Sequence, residues 1–201
     1  MYPLFFKRWV DFVLALTGLV FLAPLIGIIA VLIKASSDGP ILYSQKRVGR
    51  YFKEFDFYKF RSMVNNADKV GPGVTAGKDS RITPIGAWLR RTKLDELPQL
   101  FNVLKGDIAL VGPRPELLRY VSCFQSEYTQ ILTVRPGITD YAAIAFRDEE
   151  ILLNRYSDVE AAYIKIVLPQ KIELYLNYIQ NISLWTDLKI VKQTIVTIFR
   201  N

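Results

Sequence analysis

The chain has 201 residues, enough for one domain or one domain with an appendage. Twenty-six Lys and Arg against 19 Asp and Glu give a formal charge of +7, hydrophobic residues make up 51%, and histidine is absent. These numbers exclude a Ser-His-Asp or Cys-His nucleophile, an imidazole base and a His-containing zinc site, while the lone Cys123 excludes an internal disulfide or thiolate cluster.

From Phe12 to Ile33 no residue is charged, and at 1.5 Å per residue that run makes roughly 33 Å of helix, enough to cross a bilayer core. It is too long for a signal-peptide core and no clear cleavage site follows. A simple spanning helix is the commoner form of such a run, but two features favour a re-entrant one. Pro24 cannot donate to the carbonyl of Val20 and clashes with it, which predicts a kink. Lys7 and Arg8 precede the run and Lys34, Lys46, Arg47 and Arg50 follow it, whereas a spanning helix biases its basic residues to one side.

Ser36-Ser37-Asp38-Gly39-Pro40 reads as a turn-forming linker. Residues 41–45 alternate like a strand, residues 54–61 are rich in aromatics, and Gly49 lies between them, so a hairpin is expected. Residues 65–80 are polar and glycine-rich and read as a mobile loop. Gly77-Lys78 there fails as a P-loop, since Asp79 replaces the Ser/Thr and Pro72 the first glycine. Thr83-Pro84 opens a helix that carries Ile85, Trp88 and Leu89 ahead of Arg90-Arg91, and it packs on a core or lies in a membrane interface. A second helix is expected from about Glu96 to Leu104, stopped by Gly106. Near the C-terminus Leu188, Val191, Ile195, Ile198 and Phe199 recur at helical spacing opposite Lys189 and Lys192, again core or interfacial. No internal repeat and no second domain is evident.

Without histidine, chemistry falls to carboxylates, Lys, Arg, Tyr or a bound hard cation. Asp95 and Glu96 are adjacent acids followed by Pro98, which is tolerated only in a first helical turn, so the helix starts close to them. Capping is the plain role for such a pair. Their company argues for more: Arg90, Arg91 and Lys93 precede, while Arg114 and Arg135 stand between or beside prolines in Gly112-Pro113-Arg114-Pro115 and Arg135-Pro136-Gly137. Arginines on fixed backbone suit bidentate grip of phosphate. Cations and a helix start are expected to depress the carboxyl pKa, leaving an ionised nucleophile or a ligand for Mg²⁺. Lys59 and Arg61, alternate residues at the end of the second strand, are a second candidate phosphate or nucleotide contact.

Lys7-Arg8, the proline-interrupted apolar run, Lys59-Phe60-Arg61-Ser62-Met63, Leu94-Asp95-Glu96-Leu97-Pro98-Gln99, Gly112-Pro113-Arg114-Pro115 and Arg135-Pro136-Gly137-Ile138-Thr139 together resemble the monotopic phosphoglycosyl transferases, a family of bacterial sugar transferases. The likeness covers nearly the whole chain, which looks like the minimal catalytic unit. It implies an α+β, mainly helical fold with an N-terminal re-entrant membrane helix over 1–35, amphipathic interfacial helices, a small β-hairpin, and a membrane-associated catalytic domain over 36–201 at the cytoplasmic face of the bacterial inner membrane. It further implies a Mg²⁺-dependent reaction in two steps. Asp95 would attack the β-phosphate of a UDP-sugar and release UMP, and a polyprenyl (undecaprenyl) phosphate would then take the phospho-sugar. Glu96 would serve as metal ligand or base, Arg114 and Arg135 would hold phosphate, Lys59 and Arg61 would lie near the nucleotide, and Lys7, Arg8 and Pro24 would set the membrane helix. Phosphoryl transfer asks mainly for positioning and charge neutralisation, which this residue set can supply.

The chain departs from the family at Ala23-Pro24, where many members have Ser-Pro, and at Asp140-Tyr141-Ala142-Ala143-Ile144, where many have Gly-x-Ala-Gln-Val. It also has Tyr175 where many carry an acid. A non-catalytic, basic, membrane-anchored binding module is the alternative reading of the +7 charge. A nucleic-acid partner is not expected, since neither the apolar run nor the proline-framed arginines serve one.

Overall fold

The computed structural model of the protein describes residues 4–67 and 79–199. Leu4–Ser36 form one helix, α1, and Pro24 lies inside it without ending it. After the expected linker, β1 (Leu42–Val48) and β2 (Glu54–Phe60) pair antiparallel from Leu42↔Phe60 to Val48↔Glu54. The first strand runs three residues beyond its expected end because the turn is tight. Tyr51 and Phe52 in that turn hold left-handed backbone, with φ of 56° and 61°, which bulky residues rarely adopt without support. Part of the support is a hydrogen bond from Tyr51 N to Leu132 O at 2.8 Å. The expected loop over 65–80, with Gly77-Lys78, lies for the most part outside the described residues.

Helix α2 (Pro84–Thr92) starts as the Thr83-Pro84 pair predicts, with Thr83 Oγ1 accepting from Gly86 N at 3.0 Å. A 3₁₀ turn over Leu94–Glu96 separates it from α3 (Gln99–Lys105), which Gly106 closes at a φ of 90°. The expected helix over 96–104 thus begins later, because Pro98 breaks the ladder before the helix proper. Next come β3 (Ala109–Val111), α4 (Leu118–Cys123), α5 (Gln125–Ile131) and β4 (Gly137–Thr139). The chain ends with α6 (Tyr141–Ala145), α7 (Glu149–Leu153), α8 (Val159–Ala162), α9 (Leu168–Gln180) and α10 (Leu184–Phe199). The strands β3 and β4 pair in parallel, a short ladder with no strand-length pattern in the sequence to announce it.

The main core gathers Tyr120, Tyr128, Leu153, Leu168, Ile172 and Tyr175 from α4, α5, α7 and α9. Two smaller clusters attach α1 to the rest. Ala15 packs with Phe55, Phe57, Val103 and Ile108, and Ile29 and Ile33 pack with Phe60 and Leu89. The opposite face of α1 is left bare, with Phe5, Trp9, Val20, Phe21 and Val31 exposed. On α10, Leu184, Trp185, Leu188, Ile195 and Val196 are exposed as well, while Ile190 is fully buried. Each large side chain left bare forgoes about 1.5–3 kcal/mol of burial, so the two faces are exposed apolar surface of an extent that marks an interaction site.

Both ends of α1 are tied to the same body. At its start Lys7 Nζ donates to Asp187 on α10 at 2.5 Å, and Arg8 donates to Leu104 O at 2.8 Å and to Val103 O. At its end Arg61 Nη2 donates to Ile33 O at 3.3 Å and to Ser37 O at 2.7 Å.

Candidate active site

Asp95 and Glu96 owe their place to a forced stop. Lys93, with φ 58° and ψ 14°, ends α2 in left-handed backbone, and the single 3₁₀ turn that follows swings the two acids toward the hairpin. Asp95 does not cap α3, whose start receives no side-chain hydrogen bond. Its Oδ1 is instead buried and has no hydrogen-bond partner among the described residues. Burial pushes the Asp95 carboxyl above its ordinary value; Lys59 opposes this, Glu96 reinforces it, and Arg90 and Lys93 oppose it more weakly. This reverses the depressed value expected from the sequence. The physical reason is that the nearest cations are spent on other acids, Lys59 on Glu96 and Arg90 on Glu150.

Glu96 has the opposite fate. Its Oε1 accepts from Lys59 Nζ at 2.9 Å and from Arg114 Nη2, and its Oε2 accepts from Arg114 Nη1 at 3.2 Å. Burial alone would raise it, but Arg114 and then Lys59 overcome burial and hold the carboxyl well below the usual carboxylate range. Lys59 is lowered by its own burial, against the pull of Glu96. The Phe57 ring sits among the cations, 5.8 Å from Lys59 Nζ and 5.9 Å from the guanidinium carbons of Arg47 and Arg114.

Arg114 is aimed by the glycine-proline segments. Gly112 N donates to Thr139 O at 3.0 Å and Gly137 N to Pro113 O at 2.9 Å, so the two backbones cross. A Cβ built on Gly137 would lie 2.2 Å from Gly112 N, and only glycine permits that approach. Asp140, a departure from the family pattern, supports the same loop. Its side chain accepts from Arg114 N at 2.8 Å and from Ala143 N at 2.6 Å, capping α6.

These groups line a cavity of ≈730 Å³. Its polar wall holds Lys59, Asp95, Glu96 and Arg114 together with Arg47, Arg90, Arg91 and Lys93. Arg91 and Lys93 have no ion-pair partner among the described residues. An apolar wall is built from Gly18 and Leu22 of α1, Leu100 of α3, Ile144 of α6, and Ile195 and Ile198 of α10. A third wall carries Phe146, Tyr163, Lys171 and Tyr175. The Tyr175 hydroxyl is buried without a hydrogen-bond partner among the described residues, and burial pushes it well above its ordinary value, so it stays a donor.

Not every expected residue reaches this cavity. Arg61 lies one residue past the end of β2 and turns back to α1, where it donates to Asp38 O at 2.9 Å and to the carbonyls of Ile33 and Ser37. Lys59 and Arg61 therefore do not share a side, because the strand ends between them. Arg135 donates to Gly106 O at 2.9 Å and lines a separate small pocket with Lys7 and Arg8. Pro24 sits within α1, exposed. Arg47, Lys171 and Tyr175 were missed as site residues. Of these only Tyr175 carried a signal, its place where an acid is common in the family.

Among the described residues no three acidic or thiol side chains converge as a metal cage. Mg²⁺ needs less than a cage, since it takes one or two carboxylates and completes its shell with water and phosphate oxygens. The unpartnered Asp95 Oδ1 beside Glu96 fits that requirement once a diphosphate is present.

Comparison with known proteins identifies the family. The family described as bacterial sugar transferase matches residues 2–201. The UDP-N-acetylgalactosamine-undecaprenyl-phosphate N-acetylgalactosaminephosphotransferase of Aeromonas hydrophila is 40% identical over 197 residues, covering 96% of this chain and 44% of that protein. The UDP-glucose:undecaprenyl-phosphate glucose-1-phosphate transferase of Escherichia coli is 38% identical over 204 residues, covering 97% of this chain and 40% of that protein. An undecaprenyl-phosphate galactose phosphotransferase of Salmonella typhimurium is 36% identical, with coverage of 98% and 41%. The chain thus spans less than half the length of these three relatives, and their names carry three different sugars.

Proposed function

We propose that this chain, which belongs to the bacterial sugar transferase family, transfers a phospho-sugar from a UDP-sugar to a polyprenyl phosphate and releases UMP. Ionised Asp95 attacks the phosphorus that bears the sugar. The bond from that phosphorus to the UMP oxygen breaks, UMP leaves with the electron pair, and the phospho-sugar stays on Asp95 as an acyl phosphate. An oxygen of the polyprenyl phosphate then attacks the same phosphorus, and the bond to Asp95 breaks.

Lys59 and Arg114 are fixed by Glu96 before substrate arrives, so they meet the developing charge without reorganising. Glu96, held far below the usual carboxylate range, is a poor proton acceptor and acts as charge and ligand. Mg²⁺, held by Asp95 and Glu96, would supply positive charge against the diphosphate. The apolar wall between α1 and α10, both bare on their outer faces, suits the isoprenyl tail of the acceptor.

A membrane position at one face is supported by the two ends of α1. Its 33 residues make about 50 Å of helix, longer than a bilayer core, yet Lys7 and Ile33 are both tied to the same body. A spanning helix would carry one end away. The monotopic, cytoplasmic-face arrangement keeps both.

The observation that carries this reading is Asp95 itself, which lines a cation-lined cavity while its buried Oδ1 has no hydrogen-bond partner among the described residues. A lipid-binding module without catalysis has no use for that costly placement. Intact-mass measurement tests it. With UDP-sugar and Mg²⁺ but no lipid, the protein should gain one phospho-sugar, located by digestion on the peptide with Asp95. An unchanged mass during full steady-state turnover would exclude the covalent route.

A further inference from the structure

Three arginines from distant parts of the chain meet at the start of α1. Arg8 on α1, Arg50 in the turn after β1 and Arg135 before β4 line one pocket with Lys7 and Asp11. Its free volume is ≈20 Å³, about the room that one water or one phosphate oxygen needs. Backbone carbonyls aim all three guanidiniums. Arg8 takes Val103 O and Leu104 O, Arg50 Nε donates to Thr133 O at 2.8 Å, and Arg135 Nε donates to Gly106 O at 2.9 Å. A Cβ built on Gly106 would lie 3.1 Å from Arg8 Nη2, so Arg8 and Arg135 flank the same residue.

Capping of the C-terminal end of α3 accounts for Arg8 and for the Nε of Arg135, which donates to the C-cap residue Gly106. It leaves unexplained the terminal nitrogens of Arg50 and Arg135, which have no hydrogen-bond partner among the described residues. The acids nearby neutralise the cluster only in part, two carboxylates (Asp11 and Asp187) against four cations (Lys7, Arg8, Arg50 and Arg135). Asp187 is taken by Lys7, and Asp11 Oδ1 accepts from Leu110 N at 3.3 Å. Arg135 is pushed below its ordinary value by burial and then by Arg8 and Arg50, as expected of like charges held together. Such a cluster asks for an anion, and guanidiniums with free ends match phosphate oxygens.

The surroundings say which kind of phosphate. Phe5 and Trp9 are exposed on the same end of α1, and Tyr51 and Phe52 are exposed on the strained turn that presents Arg50. Aromatic side chains with basic residues beside them mark the headgroup level of a membrane. We infer that Arg8, Arg50 and Arg135 hold the phosphate of an anionic phospholipid at a site separate from the Asp95 cavity.

Calorimetric titration of the full chain in detergent with short-chain phosphatidylglycerol tests this. Arg8 is left in place because it caps α3, and the variant combines Arg50→Gln with Arg135→Gln. The wild type should bind the lipid at least about tenfold more tightly than the variant, the loss expected for charge-assisted contacts. Inorganic phosphate and a short-chain prenyl phosphate form the other two arms, and both should bind this site more weakly. Equal lipid affinity in both proteins, equally tight inorganic phosphate, or preference for the prenyl phosphate would each overturn the inference. On the wild type alone, phosphatidylglycerol with a photoreactive headgroup should label peptides containing Arg50 or Arg135, and labelling confined to other peptides would also overturn it. The mass gain from UDP-sugar is read in parallel. It should persist in the variant, and its loss there alone would show that the site is not separate. Its absence from the wild type would sink the transfer reaction and leave the lipid result standing.

Discussion

Asp95 and Glu96 are bonded neighbours whose carboxyl groups are driven in opposite directions. Burial raises the first, whose Oδ1 is unpartnered, while Arg114 and Lys59 overcome burial and lower the second. One carboxyl is held easier to protonate and the other is kept as a fixed anion. Two adjacent acids separate their roles only because the 3₁₀ turn points them at different surroundings.

The reactive acid should show itself in the pH profile of transfer. Asp95 must be ionised to attack, and its proton affinity is raised, so the acid limb of UMP release should have its midpoint above 3.8, the ordinary aspartate value. A rate that holds level down to that value would contradict the assignment.

Asp95→Asn should abolish transfer and yet stabilise the resting protein. A carboxyl raised by burial stabilises the fold below pH 3.8 and loses that contribution as pH rises through its folded value, so at neutral pH its charge is a burden. Thermal unfolding near pH 7 should shift up by about 2–4 °C for each kcal/mol relieved. A lower Tm would mean that the charge is better compensated than its geometry implies.

Glu96→Gln should act the other way. A depressed carboxyl contributes stability above pH 4.5 that is lost as pH falls through its folded value. The substitution leaves Lys59 and Arg114 without their counter-charge, so Tm at neutral pH should drop by roughly 5 °C or more. The stability difference from wild type should shrink on acidification, as circular dichroism melts at several pH values would reveal.

Much of this was legible in the residues, and the failures have causes. Thr83-Pro84, Gly106 and the paired aromatic run announced α2, the end of α3 and the hairpin, because local backbone chemistry decides them. The cavity was legible as a motif list but not as a shape. Arg61 and Arg135 carry the same proline- and strand-bound signals as Arg114 and Lys59, and only tertiary packing sends them elsewhere. Helix α9 was not foreseen because Lys171, Tyr175 and Tyr178 are buried on its inner face, which blurs the apolar period. The direction of Asp95 was misjudged because sequence shows that cations are near but not that other acids have claimed them.

Arg114→Lys tests whether shape or charge matters at the polar wall. Arginine reaches both oxygens of Glu96 and still contacts Ile138 O at 3.3 Å, which a single ammonium cannot do. Transfer kcat/KM should fall about 100-fold with the fold intact, the scale of a misplacement near 1 Å. Activity within threefold of wild type would reduce Arg114 to a point charge.

The apolar wall makes a kinetic prediction. Ile195→Asp should raise KM for a long polyprenyl phosphate about tenfold or more, while formation of the covalent phospho-sugar proceeds at the wild-type rate. A variant slowed equally in both steps would place the tail somewhere else.

Topology is open to direct labelling. Tags at Met1 and Asn201 should both resist a membrane-impermeant reagent in intact cells, and labelling of the first alone would mean that α1 spans the bilayer.

The bond between Lys7 and Asp187 joins positions 180 apart in the chain. At about 5–20 residues per second, the ribosome makes the aspartate some ten to forty seconds after the lysine. Throughout that interval Lys7 lacks its carboxylate, and the cavity has the apolar residues of α1 without those of α10. The cavity therefore gains the wall that α10 supplies only after α1 and α3 have long been made.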